Sequence, residues 1–226
     1  MNTKKPFTKA ELDAAKVDLL RDGRWGNACV SVATINGKRW TIKDFSNRPW
    51  LVKMTFAPFV LNRELNMVRR LEGMKNVPNE AFMVTPHILA ITYIPGKSLS
   101  SFKNGDITPE FLEKAEDLIR QLHDRNLVHL DTRGTGNWLV TPDGEPAIID
   151  FQAGMKTSHL PKALRSYMQD MDMGGVYKKW EQFCPDEMGD FRKEELKRIN
   201  KLRKLWKIRG YLGKRGTHKH GSTLDE

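Results

Sequence analysis

Residues 1–94 combine short segments rich in β-forming side chains with a stretch of helical spacing. Four segments predict strands: 28–35, 39–45, 82–85 and 88–94. Between the first two, Asn36-Gly37 is the dipeptide typical of a two-residue hairpin turn. Residues 58–73 place apolar side chains three or four positions apart, which predicts a helix. This part of the chain is therefore expected to form a sheet with one helix.

A short N-terminal helix is predicted before the sheet. Thr8 and Glu11 have the spacing of a capping box, in which each side chain accepts the backbone N–H of the other residue. Leu12, Ala15 and Leu19 follow at helical spacing and are expected to share its apolar face. Residues 22–27 are then expected to form a loop.

Beyond residue 106 the pattern is mainly helical. Thr108-Pro109 supplies a cap and a proline at the first helical position, so a helix is expected to run from there to His123. Residues 161–181 predict a second helix with a break at Gly174-Gly175, and residues 190–212 a long basic amphipathic helix. The predicted organisation has four parts: 1–94, a linker at 95–106, a helical part at 107–189, and a basic helix and tail at 190–226.

Composition narrows the functional classes. Hydrophobic residues make up 39% of the 226 residues, which is typical of a globular chain, and no apolar run approaches 18 residues. The two cysteines, Cys29 and Cys184, give no disulfide framework and suit a reducing compartment. The N-terminus leads into no apolar segment of the secretory type, so a cytoplasmic location is expected. The net charge of +10 favours anionic partners.

The most specific chemical signal lies between residues 128 and 151. Val128-His129-Leu130-Asp131 is followed six residues later by Asn137, and a predicted hairpin then leads to Asp150. Phosphoryl transfer from ATP needs one carboxylate that orients the attacking hydroxyl, and an amide and a second carboxylate that hold Mg²⁺. This ordered set supplies all three groups, and it is much more specific than an isolated His-x-Asp.

With these motifs the chain resembles the protein-kinase-like superfamily over roughly residues 19–180. Within it, the chain resembles the small atypical branch of RIO-type kinases and bacterial lipopolysaccharide-core sugar kinases. The resemblance implies an α+β bilobal fold with a small β-rich N-lobe and a reduced helical C-lobe. It also implies ATP between the lobes and Mg²⁺ as cofactor, with Asp131 as catalytic base and Asn137 and Asp150 as metal ligands.

The resemblance assigns nucleotide contacts in the N-lobe as well. Lys43, on the strand after the Asn-Gly hairpin, lies where the family keeps the lysine that binds the α- and β-phosphates. Glu64 shares a face with the apolar residues of the 58–73 helix, and an inward carboxylate needs a partner, for which Lys43 is the natural choice. The alternatives are an ordinary edge-strand lysine and a local pairing of Glu64 with Arg63 or Arg69.

Two further nucleotide contacts are implied less specifically. The phosphate-covering loop is reduced to Gly23 and Gly26, with Arg24 able to add charge, and an ordinary turn fits the same residues. The hinge that binds adenine through backbone groups is expected at Tyr93 and Ile94, where the alternative is a strand end with a turn.

The chain departs from the family pattern at three points. Asp131 to Asn137 is six residues instead of five, the metal motif reads Asp-Phe-Gln-Ala-Gly, and no Ala-Pro-Glu follows it. Asp172 resembles the structural aspartate that anchors the catalytic loop from a central helix. The short segment between Phe151 and Asp172 leaves little room for a peptide platform, which favours a non-peptide acceptor.

The expected function is therefore transfer of phosphate from ATP to a sugar hydroxyl of a lipopolysaccharide-type glycolipid. One alternative is a RIO-like serine/threonine protein kinase, and another is a catalytically dead nucleotide-binding scaffold. Residues 190–215 carry eleven Lys or Arg against three acidic residues. They are expected either to pack an apolar stripe on the C-lobe, or to dock on an anionic membrane, glycolipid or RNA. Docking on a membrane or on a glycolipid would place the protein at the cytoplasmic face of the inner membrane.

Overall fold

The computed structural model describes residues 5–23 and 26–205. The strands, in chain order, are β1 (Val17–Arg21), β2 (Cys29–Ile35), β3 (Lys38–Asp44), β4 (Ala81–Thr85), β5 (Ile88–Thr92), β6 (Lys97–Ser98), β7 (Leu127–Val128), β8 (Trp138–Val140), β9 (Pro146–Ile148) and β10 (Met155–Lys156). The α-helices are α1 (Lys9–Ala14), α2 (Ala57–Val68), α3 (Pro109–Asp124), α4 (Lys162–Phe183) and α5 (Gly189–Leu205). Arg24 and the basic segment beyond residue 205 lie outside the described residues.

The N-lobe is a five-stranded antiparallel sheet in the order β1-β2-β3-β5-β4. The predicted hairpin joins β2 to β3, with Asn36 and Gly37 at φ 52° and 74°, the left-handed values that this tight turn requires. One face of the sheet packs on the N-terminal segment through Phe7, Trp40 and Phe82. The other face packs on α2 through Leu89 and Ile91 of β5, the strand that pairs with the one carrying Lys43.

The predicted N-terminal helix is shorter than expected, and its assignment to Leu19 is wrong. The capping box of Thr8 and Glu11 is present, but the helix ends at Ala14. Residues Val17–Arg21 instead form β1, the edge strand paired with β2. Leu19 is 63% exposed, and the other four residues of β1 are exposed as well. Leu12, Ala15 and Leu19 have helical spacing, but Leu19 adopts a strand conformation because its backbone pairs with β2.

The predicted linker 95–106 is a connector only in part. Residues 97–98 form β6, which pairs with β8 in a three-stranded sheet of the C-lobe. Leu99 follows in a short 3₁₀ turn and is fully buried in the C-lobe core. Gly96 approaches the Val140 carbonyl so closely that a Cβ would lie 2.8 Å from its oxygen. The connection between the lobes is therefore confined to the few residues after β5.

The predicted break at Gly174-Gly175 is wrong, because α4 runs continuously from Lys162 to Phe183. The two glycines serve close packing instead. A Cβ on Gly175 would lie 2.0 Å from Thr132 Oγ1, and one on Gly174 would lie 2.6 Å from Cγ2 of Ile199 in α5. The absence of side chains lets the central helix contact the loop that carries Asp131.

Helix α5 packs on the C-lobe, as one of the two readings of the basic segment expects. Leu196 and Ile199 are buried in the C-lobe core, and Arg192 bonds the buried Glu116 at 2.5 Å. The outer face of the helix is charged, with Arg198 paired to Asp170 at 2.7 Å. Docking on an anionic surface stays a prediction. Among the described helices, none is long and apolar enough to cross a membrane.

Candidate active site

The first element of the site is an ion pair buried between the sheet and α2. Lys43 Nζ donates to both carboxylate oxygens of Glu64 at 2.7 Å. Glu64 is 1% exposed, and the apolar residues one helical turn before and after it on α2, Val60 and Val68, are buried. The structure thus brings together the two residues that the family resemblance and the inward phase of Glu64 had paired, although 21 residues separate them in sequence.

Asp150 joins this pair from the C-lobe. Lys43 Nζ donates to Asp150 Oδ1 at 2.8 Å, so one ammonium serves two carboxylates. Asp150 follows strand β9 and adopts φ 68°. This left-handed conformation costs an L-residue of order 1 kcal/mol and persists only where surrounding contacts impose it. Here it turns the carboxylate towards Lys43 while Phe151, the next residue, is fully buried.

Lys43, Glu64 and Asp150 shift one another's pKa values. Burial alone would lower the pKa of Lys43, but the carboxylates of Asp150 and Glu64 outweigh it and raise that pKa. Burial, opposed by Lys43 and reinforced by Asp150, raises the pKa of Glu64 to about 7. Burial would also raise the pKa of Asp150, but Lys43 dominates and lowers it. Since two carboxylates share one ammonium, the cluster has more anionic than cationic charge when both carboxylates are ionised, which is an environment suited to an added cation.

Asp131 and Asn137 form the second half of the site. Asn137 Nδ2 donates to Asp131 Oδ2 at 2.8 Å and to the Asp131 carbonyl at 3.0 Å. The unusual six-residue spacing is absorbed by a 3₁₀ turn at Thr135–Asn137, which brings the amide back to the carboxylate. The Asp131 side chain is open to solvent. Partial burial nevertheless raises the pKa of Asp131, against the hydrogen bond from Asn137, and Asp150 contributes in the same direction.

Asp172 holds the loop that carries Asp131, as its resemblance to the family's structural aspartate predicts. It is fully buried on α4 and accepts the backbone N–H groups of His129 and Leu130, both at 2.7 Å. Leu130 has φ 63°, a strained value for a leucine, and its bond to Asp172 helps to impose it. Thr132 Oγ1 donates to the Asp172 carbonyl at 2.8 Å.

Two functional contacts were missed by the sequence analysis. Arg63 of α2 was considered only as a partner of Glu64, but it donates to the carbonyls of Gly154 at 3.0 Å and Ala153 at 2.6 Å. It therefore ties the segment after Asp150 to the helix that carries Glu64. Lys179, buried on α4, donates to the Thr132 carbonyl at 2.6 Å, and burial lowers the pKa of Lys179 to about 7.

In the predicted phosphate loop, the backbone of Gly23 lies close to that of Asn27 and Ala28. A Cβ there would lie 2.1 Å from the Ala28 carbonyl oxygen, so glycine is required by the chain's own backbone. A Cβ on Gly26 would have no atom of a residue other than its chain neighbours within 4 Å, so nothing in its surroundings requires glycine. The end of β1 is fixed by an ion pair of Asp22 with Arg48 at 2.7 Å. The turn reading of these glycines is therefore favoured, and phosphate contact by their backbone stays a prediction.

The predicted hinge residues Tyr93 and Ile94 lie directly after β5, between the two lobes, and both are half-buried. The Tyr93 backbone N–H donates to the Arg39 carbonyl at 3.2 Å, and the Arg39 guanidinium lies over the Tyr93 ring at 3.9 Å from its centroid. This N–H is thus bonded within the protein. Adenine contacts at the hinge would have to use the other backbone groups of this segment.

Comparison with known proteins supports the fold. No protein-family profile matches the chain, and no curated protein matches it in sequence. The Rio2 kinase of Chaetomium thermophilum is structurally similar, with a TM-score of 0.60 and 16% identity over 88% of this chain and 76% of that one. A complex of the Rio2 kinase from the same organism with ADP, Mg²⁺ and phosphoaspartate has a TM-score of 0.57 and 17% identity, over 86% of this chain and 68% of that one.

At these identities the similarity establishes the fold. The chain has the protein-kinase-like fold in a RIO-like form, and the predicted α+β bilobal class is confirmed. The roles of individual site residues stay predictions.

Proposed function

We propose that the protein is an ATP- and Mg²⁺-dependent phosphotransferase that acts on a hydroxyl group. The observation that carries this proposal is the pair of contacts made by Lys43, which bonds both Glu64 and Asp150 within 2.8 Å. Residues from β3, α2 and the segment after β9 must all be in place for this arrangement. In protein-kinase-like sites the lysine–glutamate pair and the metal-binding aspartate are the features that mark a competent nucleotide cleft.

The donor set fits Mg²⁺. Magnesium is usually held by one or two carboxylates together with phosphate oxygens, and Asp150 and the Asn137 amide oxygen would be its protein ligands here. Within the described residues no group of three or more His, Cys, Asp or Glu could hold a metal ion alone, so phosphate would complete the shell. Bound Mg²⁺ would neutralise charge on the transferred phosphoryl group. Lys43 would bind the α- and β-phosphates, and Glu64 would keep its ammonium in place.

Asp131 is positioned to accept the proton of the attacking hydroxyl. It is solvent-accessible, and the hydrogen bond from Asn137 fixes the orientation of its carboxylate. Its raised pKa moves it towards neutral pH, where a carboxylate is a better general base. Lys179 and Asp172 of α4 bond the backbone on either side of Asp131 and hold its loop in place. The Asp131 carboxylate is therefore already oriented before the reaction begins.

The assembled site argues against a catalytically dead scaffold. Loss of activity in this fold usually follows loss of the lysine, the base or the metal-binding carboxylate, and Lys43, Asp131 and Asp150 are all present. Arg63 also holds the segment after Asp150 against α2, so the carboxylate is placed without an activation step.

For the acceptor we favour a sugar hydroxyl of a lipopolysaccharide-type glycolipid. Its support is the short connection after the site: β10 follows Gly154 directly, and α4 begins at Lys162. Conventional protein kinases need a longer segment there to bind peptide. A RIO-like serine/threonine protein kinase is the second candidate, supported by the structural similarity to Rio2 kinases.

Radiolabelled γ-phosphate tests both acceptors in one assay. The purified protein is incubated with Mg²⁺ and labelled ATP, with cell-envelope glycolipid and total soluble protein in separate reactions. We expect label to enter the glycolipid fraction and to be absent with Asp131→Asn. Label in protein alone would establish the second candidate, and no transfer to either acceptor would contradict the choice of acceptors.

A further inference from the structure

Strand β1 contains an irregularity that changes the direction of its last side chain. Its register with β2 is regular from Val17 to Leu19, which pairs with Ser31, but the next pair is Arg21 with Val30. Leu20 is thus an extra residue, a β-bulge. In a regular strand Leu20 would oppose Val30 and Arg21 would oppose Cys29. The bulge instead places Arg21 on the same face of the sheet as Val30.

That face is the one that carries Lys43. Val30 pairs with Lys43 on β3, so Arg21, Val30 and Lys43 form one row across three adjacent strands. Neighbouring strands lie about 4.8 Å apart, which puts the Arg21 and Lys43 backbones roughly 10 Å from each other. Both side chains therefore face the cleft between the lobes. The charge of Arg21 also helps to lower the pKa of Asp150 against the effect of burial, after the larger effects of Lys43 and His129.

Arg21 has a cationic head and no carboxylate partner among residues 5–23 and 26–205. Its neighbour Asp22, the nearest candidate in sequence, is bonded to Arg48 at 2.7 Å. Arg48 is itself mostly covered, so this ion pair fixes the end of β1 without using Arg21. The Arg21 side chain is exposed. An unpaired guanidinium on the N-lobe side of the cleft could donate hydrogen bonds to the phosphate oxygens of a bound nucleotide.

We propose that Arg21 binds the phosphate groups of the nucleotide from the N-lobe side. It would supply, through a side chain, part of the contact that a glycine-rich loop supplies through its backbone, since the backbone of Gly23 lies against that of Asn27 and Ala28. The proposal rests on the proposed function, because it assumes that the cleft binds a nucleotide. It concerns the phosphates and not the adenosine, which gives it a distinct test.

The test is isothermal titration of ATP, ADP and adenosine, each with Mg²⁺, into native protein and two variants. Arg21→Gln removes the guanidinium, and Lys16→Gln removes one positive charge from an exposed residue just before the other end of β1. We expect Arg21→Gln to weaken ATP and ADP about tenfold or more, the usual loss for a hydrogen bond to a charged group, and to leave adenosine unchanged. Lys16→Gln should bind all three like native protein, and Arg21→Lys should recover part of the loss.

Equal ATP affinity of Arg21→Gln and Lys16→Gln would overturn the assignment of Arg21, and so would an equal loss for adenosine. Failure of the native protein to bind ATP would instead contradict the proposed function. The two failures are therefore distinguishable within one experiment. Thermal unfolding of each variant checks that the exposed substitutions leave the N-lobe folded.

Discussion

Asp131→Asn is expected to lower phosphotransfer by roughly 10²–10⁴-fold, the range that a positioned general base contributes, while Mg²⁺-ATP binding stays close to native. The substitution keeps the size of the side chain and removes its ability to accept a proton. The Asp131 carboxylate accepts a hydrogen bond from Asn137, and it is not one of the carboxylates that Lys43 contacts. Lys43, Glu64 and Asp150, which would bind the nucleotide, are connected to one another without it.

Single-turnover phosphotransfer and titration of Mg²⁺-ATP on the same preparation measure the two halves of this expectation. Asp143→Asn is the matched control, because Asp143 is an exposed aspartate in the turn between β8 and β9. It should match native protein in both measurements. A rate for Asp131→Asn above one tenth of native would show that the base lies elsewhere.

Asp172→Asn is expected to destabilise the protein by about 3 kcal/mol and to remove activity. The buried carboxylate accepts two backbone N–H groups, and an amide offers one oxygen in place of two. The Nδ2 group would then face the N–H of His129 or Leu130, leaving a buried donor without an acceptor. Because these bonds impose the strained conformation of Leu130, the loop before Asp131 should lose its geometry as well.

Urea unfolding gives the free energy, and the control comes from the same helix. Asp170 lies two residues earlier on α4 and pairs with Arg198 at the partly exposed surface. Asp170→Asn should cost less than about 1 kcal/mol, as surface ion pairs usually do. If both variants lost the same stability, Asp172 would have no special role in holding the loop.

Local sequence was sufficient where spacing alone determines contact. The hairpin at Asn36-Gly37, the caps of α1 and α3, and the inward phase of Glu64 each depend on residues within a few turns of one another. The ordered set Asp131, Asn137 and Asp150 was equally informative, because the intervening hairpin is short. The ordered set carried the family resemblance that implied the fold, and these features together identified the central residues of the candidate site.

Sequence was insufficient where a residue's environment comes from distant segments. Leu19 has helical spacing from Leu12, but pairing with β2 decides its conformation. Gly174 and Gly175 would favour a break in an isolated helix, whereas their close contacts with Ile199 and Thr132 require them within a continuous one. Arg63 donates to the carbonyls of Gly154 and Ala153, which lie 91 and 90 residues away in sequence. A single sequence carries no signal for contacts of this kind.

The most direct test of the account is titration of ATP with and without Mg²⁺ into native protein and Asp150→Asn. Asp150, the proposed metal ligand, is bonded to Lys43, and the residue before it, Ile149, donates its backbone N–H to the Asn137 carbonyl at 2.9 Å. Native protein should bind ATP more tightly when Mg²⁺ is present. Asp150→Asn should lose that metal-dependent part of the affinity and keep the remainder. Equal affinity of the native protein in the two conditions would contradict the central claim that this cleft binds Mg²⁺-ATP.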